Sequence, residues 1–534
     1  MKEFNTTGIC VPNKHYMVDI SERVRAIKRM VDEGKYFVMN RGRQYGKTTT
    51  LYILKQFLET EYEVLNISFE GIGQAGFQSG QSFVKAFCRK IRREARSGLS
   101  LPENVNAQFS GFLNRDKSEA ELDELFDVLL DWCYECEKKI VLIIDEVDEA
   151  SNSQVFLDFL GQLRNSYIER DGKGLKTFHS VILAGVTDIR HLKSRVRPES
   201  EHKVNSPWNI AAEFDIDMSL SEEGIRGMLE DYEADHRLGM DTHALAGQIH
   251  EYTSGYPFLV SRICQIIDKK LCVDEADNFK DLVEAWTAYG VDEAVKLLLS
   301  EPGNALFESL TGKLINYPAL KDGLRQILLR GEPFQWLAYD ELQQELYMYG
   351  FIKNVHGKVA ISNRIFEMLL YAHFLGENEG NEDLKNRAAD IRSVFIDNDG
   401  SLDIPKIMSH FIKEHNIIHG DDDTKFLEAE GRERFMTYIA AIINGTGTYS
   451  IEEGTRDQRR MDLVIHYLGR RYIIEMKIWR GERYNEEGKK QILGYLDYFG
   501  LNTGYLLSFN FNKEKKPGVE RIEIGDKVIF EGIV

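Results

Sequence analysis

The first 220 residues alternate short apolar runs with segments of helical periodicity. Runs rich in β-branched and aromatic residues predict buried strands, at Tyr36–Met39, Glu63–Phe69, Lys139–Ile144 and His179–Ala184. Apolar residues spaced three and four positions apart predict helices, over Gly46–Leu58, Ser79–Arg96, Ser118–Lys138 and Gln154–Ile168. Strands that alternate with helices in this way indicate an α/β fold built around a parallel sheet.

After Ser221 the pattern becomes helical as far as Cys272. Residues 306–374 then read as helices, a hairpin around Gly357 and a closing helix, an order that resembles winged-helix modules. The second helix before the hairpin, DELQQELYMYG, is acidic where a DNA-reading helix would carry Lys or Arg. We therefore expect this unit to pack or to contact protein rather than DNA.

The polar, acidic stretch Gly376–Arg387 is the best linker candidate, and a helical bridge over Ala388–His415 follows it. Beyond it the pattern predicts a helix over Phe426–Ile443 and a strand at Tyr449–Ile451. Two β-branched runs then flank the short connection Leu468-Gly469-Arg470. Two such runs around a short turn predict an antiparallel hairpin.

The segment Lys35–Thr60 combines a predicted strand, a polar loop and Gly46-Lys47-Thr48 at the start of a helix. This order is typical of phosphate loops. Backbone N–H groups at the helix N-terminus hold the anion, the lysine reaches the terminal phosphates and the threonine hydroxyl holds Mg²⁺. We expect Gly46, Lys47, Thr48 and Thr49 to bind ATP. Arg41 stands where the phosphate-loop pattern has glycine. The pattern therefore predicts binding of ATP but not its efficient hydrolysis.

The third predicted strand ends in Asp145 and Glu146. A parallel strand delivers such acids to the carboxyl edge of its sheet, where ligands bind. We expect Asp145 to support Mg²⁺ and Glu146 to polarise the attacking water. Thr187, after the fourth strand, is either a sensor of the γ-phosphate or an ordinary strand end.

The C-terminal hairpin carries three ionisable residues, Asp462 on its first strand and Glu475 and Lys477 on its second. A two-residue turn at Leu468-Gly469 pairs Asp462 with Glu475, whereas a turn at Gly469-Arg470 pairs Asp462 with Lys477. Both registers place the three side chains on one face, because side chains alternate with period two. Opposed Cβ atoms lie roughly 5 Å apart, so the two carboxylates can share a divalent cation. The alternative is a solvated hairpin with structural ion pairs.

Residues 1–275 resemble the AAA-ATPase-like domain of bacterial proteins that pair such an ATPase with a C-terminal nuclease. The resemblance lies in Phe4–Gly8, His15–Val18, Arg43–Leu51 and the Asp145-Glu146 strand. Residues 425–515 resemble the PD-(D/E)XK nucleases through the hairpin. The acids of that superfamily bind Mg²⁺, which implies Asp462 and Glu475 as metal ligands. Its lysine, here Lys477, orients the attacking water and stabilises charge on the scissile phosphate.

The same resemblance implies further site residues. The superfamily often adds a helix glutamate before the first strand, and Glu430 is our choice, with Glu428 and Glu433 as rivals. Gln491, with Tyr495 four positions later, matches the glutamine-bearing helix of resolvase-like members. Basic residues near the hairpin are candidates for phosphate contacts: Arg456, Arg459, Arg460, Arg480 and Lys490.

Five regions follow from these patterns. They are a P-loop ATPase core over 1–220, a helical lid over 221–299, a winged-helix-like unit over 300–375, a linker and helical bridge over 376–424, and an α/β nuclease-like domain over 425–534.

Composition adds limits on partners and compartment. No apolar run reaches the length of a membrane span, and six cysteines in 534 residues indicate a reducing cytoplasm rather than a disulfide framework. The formal net charge of −19 argues against a chain coated in nucleic acid. Residues 425–534, however, hold 18 Lys and Arg against 17 Asp and Glu, so a polyanion can approach that part without strong repulsion.

The leading hypothesis is an ATP-controlled, Mg²⁺-dependent endonuclease of the cytoplasm that acts on nucleic acid, with DNA as the expected substrate. Defence against foreign DNA is the role that such a pairing suggests by analogy. The alternative is a nucleotide-dependent switch whose nuclease-like domain binds nucleic acid without cutting it. The triad of Asp462, Glu475 and Lys477 favours the endonuclease, since a binding module has no need of it. The sequence is compatible with a homo-oligomer.

Overall fold

We describe a computed structural model of the chain. It describes residues 2–114, 121–150, 153–186, 208–272, 279–329, 334–376, 392–397, 399–419, 428–443, 447–450, 453–454, 460–461, 463–479, 482–510 and 516–534. The chain forms two compact units. The first comprises Met1–Leu220 with Met348–Gly350, and the second comprises Ser221–Tyr347 with Phe351–Val534. None of the helices described is long and apolar enough to cross a membrane.

The first unit is a layered α/β structure. Its strands are β1 Glu3–Phe4, β2 His15–Tyr16, β3 Tyr36–Asn40, β4 Glu63–Ser68, β5 Ile140–Asp145 and β6 Ser180–Gly185. Its helices are α1 Ser21–Asp32, α2 Lys47–Leu58, α3 Gly80–Ala95, α4 Glu103–Asn114, α5 Leu122–Glu135 and α6 Gln154–Lys173.

A four-stranded parallel sheet forms the centre of this unit, in the order β3-β6-β5-β4. Every residue of β5 and β6 is buried, because helices cover both faces of the sheet. Alternate residues of β5 enter different hydrophobic layers. Leu142 and Ile144 pack with α3, α5 and α6, whereas Val141 and Ile143 pack with α1 and α2.

The second unit begins with helices only. They are α7 Glu222–His236, α8 Thr242–Thr253, α9 Pro257–Lys269, α10 Leu282–Ala285, α11 Ala288–Ser300, α12 Ala305–Asn316 and α13 Pro318–Leu329. Next come α14 Glu341–Met348, the antiparallel hairpin of β7 Ile352–Val355 and β8 Lys358–Ile361, and α15 Arg364–Gly376. The predicted order of helices, hairpin wing and closing helix is confirmed.

The rest of the second unit is built around a six-stranded mixed sheet. Its helices are α16 Ile404–His419, α17 Glu428–Ile443 and α18 Glu482–Phe499. Its strands are β9 Gly447–Ser450, β10 Glu453–Gly454, β11 Arg460–Met461, β12 Leu463–Tyr467, β13 Arg470–Ile478, β14 Thr503–Phe509, β15 Gly518–Ile524 and β16 Lys527–Ile533. The sheet order is β15-β16-β14-β13-β12-β9, with β13, β14 and β16 parallel to one another. A separate pair joins β10 and β11.

Two parts of the sequence interpretation need correction. The predicted bridge over 388–415 is not one helix, because Ile396 pairs with Leu402 around a turn and α16 begins only at Ile404. Gly400 supplies the positive φ of 77° that this turn requires. Helix α4 was not predicted, since Asn, Ser and Gly, which are poor helix formers, separate its buried residues Val105, Phe109 and Phe112.

Candidate functional site

The phosphate-loop candidate in the first unit joins β3 to α2. Gly46 caps α2 with a φ of 78°, and Gln44 also has a positive φ, 55°, which non-glycine residues rarely adopt. This turn brings the free N–H groups of the α2 N-terminus to the loop, where an anion is favoured. Lys47 is buried, and its Nζ donates to the carbonyl oxygens of Arg41 and Gly42, both at 2.9 Å.

The two predicted nucleotide motifs meet although they lie 97 positions apart in sequence. Thr48 Oγ1 donates to Asp145 Oδ2 at 2.8 Å, and Glu146 N donates to Asp145 Oδ1 at 2.9 Å. Glu146 has a φ of 54°. Strained backbone of this kind clusters at functional sites. A hydroxyl and a carboxylate side by side are oxygen ligands of the type that Mg²⁺ prefers, so these residues fit the ion expected with ATP.

Burial sets the protonation behaviour of this site. Burial raises the pKa of Asp145 and the pKa of Glu146. The negative charge of Asp145 raises the pKa of Glu146 further. Burial also lowers the pKa of the Lys47 ammonium, an effect that the carboxylates of Glu146, Asp148 and Asp145 oppose. The buried Asp145 and the half-buried Glu146 and Asp148 surround one buried lysine, so an added cation is electrostatically favourable there.

Asp148 belongs to this cluster, and the sequence patterns did not single it out. Its Oδ2 accepts from the backbone N–H of Val186 at 2.5 Å, directly after β6. A Cβ on Gly185 would lie 2.8 Å from the same oxygen, so only glycine fits there without a shift. The carboxyl ends of β5 and β6 are thereby tied together. In the sequence, Asp148 could have been recognised only by its spacing of three residues from Asp145. That spacing indicates a functional residue only when β6 is known to lie next to β5.

Arg41 and Thr49 also contact the protein around the loop. Arg41 Nη2 donates to the Ile216 carbonyl at 3.0 Å, and its guanidinium stacks over Phe214. The residue that replaces the expected glycine therefore anchors the loop. Thr49 Oγ1 accepts from the backbone N–H of Cys10 at 3.1 Å. Thr187 lies outside the described residues.

The C-terminal hairpin adopts the first of the two predicted registers. Tyr467 pairs with Arg470, and Leu463 pairs with Ile474, so the turn contains Leu468 and Gly469. Both turn residues have positive φ, 48° and 72°. Positive φ at both central positions is the type I′ geometry that matches strand twist. The next pair of this register involves Glu475, while Asp462 lies outside the described residues.

Glu475 and Lys477 form a close ion pair on one face of β13. Lys477 Nζ lies 3.0 Å from Glu475 Oε1, with the Glu475 side chain 1% exposed and the Lys477 side chain 17% exposed. On the parallel neighbour β14, Ser508 is paired with Lys477. A buried carboxylate beside a partly exposed lysine is a donor set that fits a divalent cation and a phosphate group.

Helix α18 packs over this face. A Cβ on Gly488 would lie 3.8 Å from Lys477 Cγ, so the missing side chain allows the close approach. Gln491, one helical turn further along, is exposed, whereas Tyr495 is buried against Val464 and Ile473. Although Gln491 and Tyr495 lie four positions apart on α18, the first side chain is exposed and the second is buried.

Other predicted residues of this site are only partly placed. Glu433 accepts from Arg325 Nη2 at 3.2 Å on α17. The side chains of its rivals Glu428 and Glu430 lie outside the described residues, as do Arg456, Arg459, Arg480 and the side chain of Arg460. Lys490 is exposed. Within the residues that the structure covers, no group of three or more His, Cys, Asp and Glu side chains could hold a metal ion.

Comparison with known families identifies both parts of the chain. A family model of an AAA-like domain matches residues 9–291, more than half of the 534 residues. The chain belongs to the AAA-like family. In this AAA-like protein, residues 449–522 match the PD-(D/E)XK nuclease superfamily, and this stretch contains Glu475 and Lys477. Both predicted resemblances are confirmed. Proteins of these families generally use a nucleotide and a divalent metal ion.

No curated protein matches the chain. Among solved structures, a Walker-type ATPase of Pyrococcus abyssi is 14% identical, with a TM-score of 0.48 over 69% of this chain and 99% of that chain. Cdc6p from Pyrobaculum aerophilum is 14% identical, with a TM-score of 0.34 over 69% and 97%. The RuvB motor of Thermotoga maritima is 14% identical, with a TM-score of 0.30 over 64% and 92%. These TM-scores are too low to support a conclusion about this AAA-like protein.

Proposed function

We propose that this AAA-like protein is an ATP-controlled, Mg²⁺-dependent endonuclease. The observation that carries the proposal is the buried Glu475–Lys477 pair, 3.0 Å apart, within the nuclease-superfamily match. The same chain holds a phosphate loop whose Thr48 is hydrogen-bonded to Asp145. One chain therefore combines residues for nucleotide binding with residues for phosphodiester chemistry.

In the nuclease part, Asp462 and Glu475 are the proposed metal ligands, and Glu430 is the proposed helix glutamate of the catalytic site. The bound metal would supply Lewis acidity and a more acidic water. We assign Lys477, whose side chain is partly exposed next to Glu475, the roles of orienting the attacking water and stabilising charge on the scissile phosphate. Gln491 is exposed one helical turn beyond the glycine that faces Lys477, and we assign it a role in positioning the substrate or water.

In the ATPase part, Gly46, Lys47 and Thr49 are the proposed nucleotide ligands, and Thr48 and Asp145 would hold Mg²⁺. Glu146 would accept a hydrogen bond from the attacking water. Its raised pKa keeps it a better proton acceptor than an ordinary exposed carboxylate. Breaking the hydrogen bond from Thr48 to Asp145 would free two oxygen ligands for the ion.

DNA is the proposed substrate, and defence against foreign DNA is the proposed role. The near balance of 18 basic and 17 acidic residues over 425–534 supports this assignment, since a polyanion meets less repulsion there than over the rest of a chain of net charge −19.

The test is cleavage of labelled plasmid, linear and branched DNA and of RNA, with and without ATP and Mg²⁺. Asp462→Ala and Glu475→Ala should abolish cleavage, whereas Glu520→Ala should cut as the parent does, because Glu520 is exposed on the edge strand β15. Full cleavage by both acid variants would refute the nuclease assignment. Binding of nucleic acid by a parent that cuts none of these substrates would establish the alternative of a nucleotide-dependent binding switch.

A further inference from the structure

A polar network connects four elements of the second unit, with Tyr252, Arg364 and His466 buried, Asp292 half-buried and Glu251 exposed. It consists of Glu251 and Tyr252 on α8, Asp292 on α11, Arg364 at the start of α15, and His466 on β12. We call these five residues the joint. Helix α8 belongs to the AAA-like match, and β12 belongs to the nuclease-superfamily match. The joint therefore links the segment that continues the ATPase to the hairpin that carries Glu475.

Arg364 lies at the centre of the joint. Its Nη1 donates to Glu251 Oε1 at 2.9 Å, its Nη2 contacts His466 Nε2, and its guanidinium stacks over Tyr252 at 4.4 Å from the ring centroid. The Arg364 side chain is 6% exposed and that of His466 is 7% exposed. Because burying a guanidinium is costly unless it is paired, these contacts hold the three elements in one arrangement.

The contact with Arg364 fixes the hydrogen-bonding state of His466. A guanidinium has donors only, so Nε2 of His466 must act as the acceptor and the ring proton lies on Nδ1. His466 Nδ1 faces Asp292 Oδ2 at 3.9 Å. Asp292 Oδ1 in turn accepts from Tyr252 Oη and Gln248 Nε2, both at 2.8 Å. His466 thus contacts Arg364 on α15 directly through Nε2, whereas Nδ1 only faces Asp292 on α11, at a distance beyond a hydrogen bond.

The joint is connected to the candidate active site by packed side chains. His466 is paired with Arg471, four residues before Glu475 on β13, a distance of roughly 13 Å along the strand. Val464, Ile473 and Tyr495 fill the same face between the two positions, each no more than 1% exposed. A shift at His466 therefore moves a close-packed hairpin rather than a loose loop.

An open cleft of about 1150 Å³ lies beside the joint, between α8 and the hairpin turn. Its lining is mostly polar and includes His243, Gln248, Arg471 and Asn502.

We propose that the joint couples nucleotide binding to the nuclease hairpin: a displacement of α8 and α11 is passed through Arg364 and Asp292 to His466 and along β12 and β13 to Glu475. This coupling rests on the proposed function, because it names the route by which ATP controls cleavage.

Two variants interrupt the joint in different ways. Asp292→Asn keeps an oxygen that accepts from Tyr252 and Gln248, but it turns a donor towards the Nδ1 proton of His466. His466→Leu removes both ring nitrogens while retaining an apolar side chain. Tyr232→Phe is the matched control, because it removes a hydrogen bond of 2.6 Å to Asp268 between α7 and α9 and leaves the five joint residues unchanged.

The measurement is amide hydrogen exchange of residues 463–478 in the full chain, in constant Mg²⁺, with and without ATP. In the parent and in Tyr232→Phe we expect ATP to change exchange by roughly 5-fold or more, the lower range of allosteric coupling. In Asp292→Asn and His466→Leu the change should fall below about twofold, with ATP affinity by calorimetry retained.

The outcomes separate the coupling from the proposed function. An equal ATP response in parent and joint variants, or ATP binding by the parent with no response in the hairpin, would overturn the coupling alone. Failure of the parent to bind ATP would overturn the proposed function and the coupling with it. A parent that binds ATP and shows the predicted pattern, but cuts no nucleic acid, would support the coupling and refute the endonuclease.

Discussion

Replacing Lys477 with alanine removes the cation that lies 3.0 Å from a carboxylate of 1% exposure. Removing one partner of a buried ion pair typically costs about 3–5 kcal/mol, because the other charge stays buried. The Lys477 side chain is 17% exposed, so water can partly replace it. We therefore expect the lower end, a loss of about 3 kcal/mol in the free energy of unfolding of the metal-free nuclease sheet.

The reverse replacement should cost less. Glu475→Ala leaves an ammonium on a flexible stem that already reaches solvent, so its charge can be hydrated. Divalent metal should then distinguish the two variants. At a concentration 100 times its dissociation constant, Mg²⁺ stabilises a folded binding site by about 2.7 kcal/mol. Lys477→Ala should recover most of its loss in this way, whereas Glu475→Ala should gain nothing from this site.

The assay is urea unfolding followed by hydrogen exchange of the β13 amides, with and without Mg²⁺ and without ATP, which reports the stability of the nuclease sheet itself. Cleavage by Lys477→Ala should fall by roughly two to four orders of magnitude, although it retains metal. Unchanged stability of Lys477→Ala without Mg²⁺, or a stabilisation by Mg²⁺ that is equal in both variants, would refute the argument that these two side chains form a metal-binding pair.

Three further changes test other parts of the molecule. Lys47→Ala should abolish ATP binding in calorimetry and should lower the free energy of unfolding by about 1.5–3 kcal/mol for each of the two charge-assisted hydrogen bonds of 2.9 Å that are lost; an unchanged ATP affinity would rule out the phosphate loop. Glu146→Gln should remove a pH dependence: burial and Asp145 raise the pKa of Glu146, so the folded state binds its proton more tightly, and stability in the parent falls as pH rises from the ordinary pKa of 4.5 through the raised one. Urea unfolding of nucleotide-free protein across this pH range should show a smaller fall in the variant, and identical slopes would contradict the assignment. Leu468→Asn should raise stability by about 0.5–1 kcal/mol in thermal unfolding, since asparagine tolerates the φ of 48° better than leucine does; a loss would show that Leu468 contributes more by packing on Gly400 than it costs in strain.

The sequence predicted best those features that repeat a local period. Continuous β-branched runs located β3 to β6 to within two residues, because a strand buried on both faces tolerates little else. Period-two alternation placed Glu475 and Lys477 on one face in either register. The choice between the two registers was beyond the pattern, because it depends on a leucine that adopts an unfavourable backbone conformation at position 468.

Features that depend on distant partners could not be read from the chain. Arg41 appeared only as a departure from the phosphate-loop pattern, and its contact with Ile216 spans 175 positions. His466 appeared as one more residue of a strand, yet its partners are Asp292 and Arg364 on two helices far upstream. Periodicity tells which face a side chain occupies but not which element covers that face, so anchors and buried networks of this kind escape it.

The two candidate sites share one physical arrangement, a lysine next to a buried carboxylate. Lys47 lies near Asp145 at the end of β5, and Lys477 lies next to Glu475 on one face of β13. Such arrangements are poor devices for stability, because the desolvation of a buried ion pair commonly cancels its Coulombic attraction. In the first site, burial raises the pKa of Asp145 and of Glu146, so folding disfavours their charged forms. A hairpin that needed only to fold would do better with apolar residues in place of Glu475 and Lys477. We therefore propose that the charge at both sites serves ligands, a nucleotide with its metal ion at one site and a metal ion with a phosphodiester at the other.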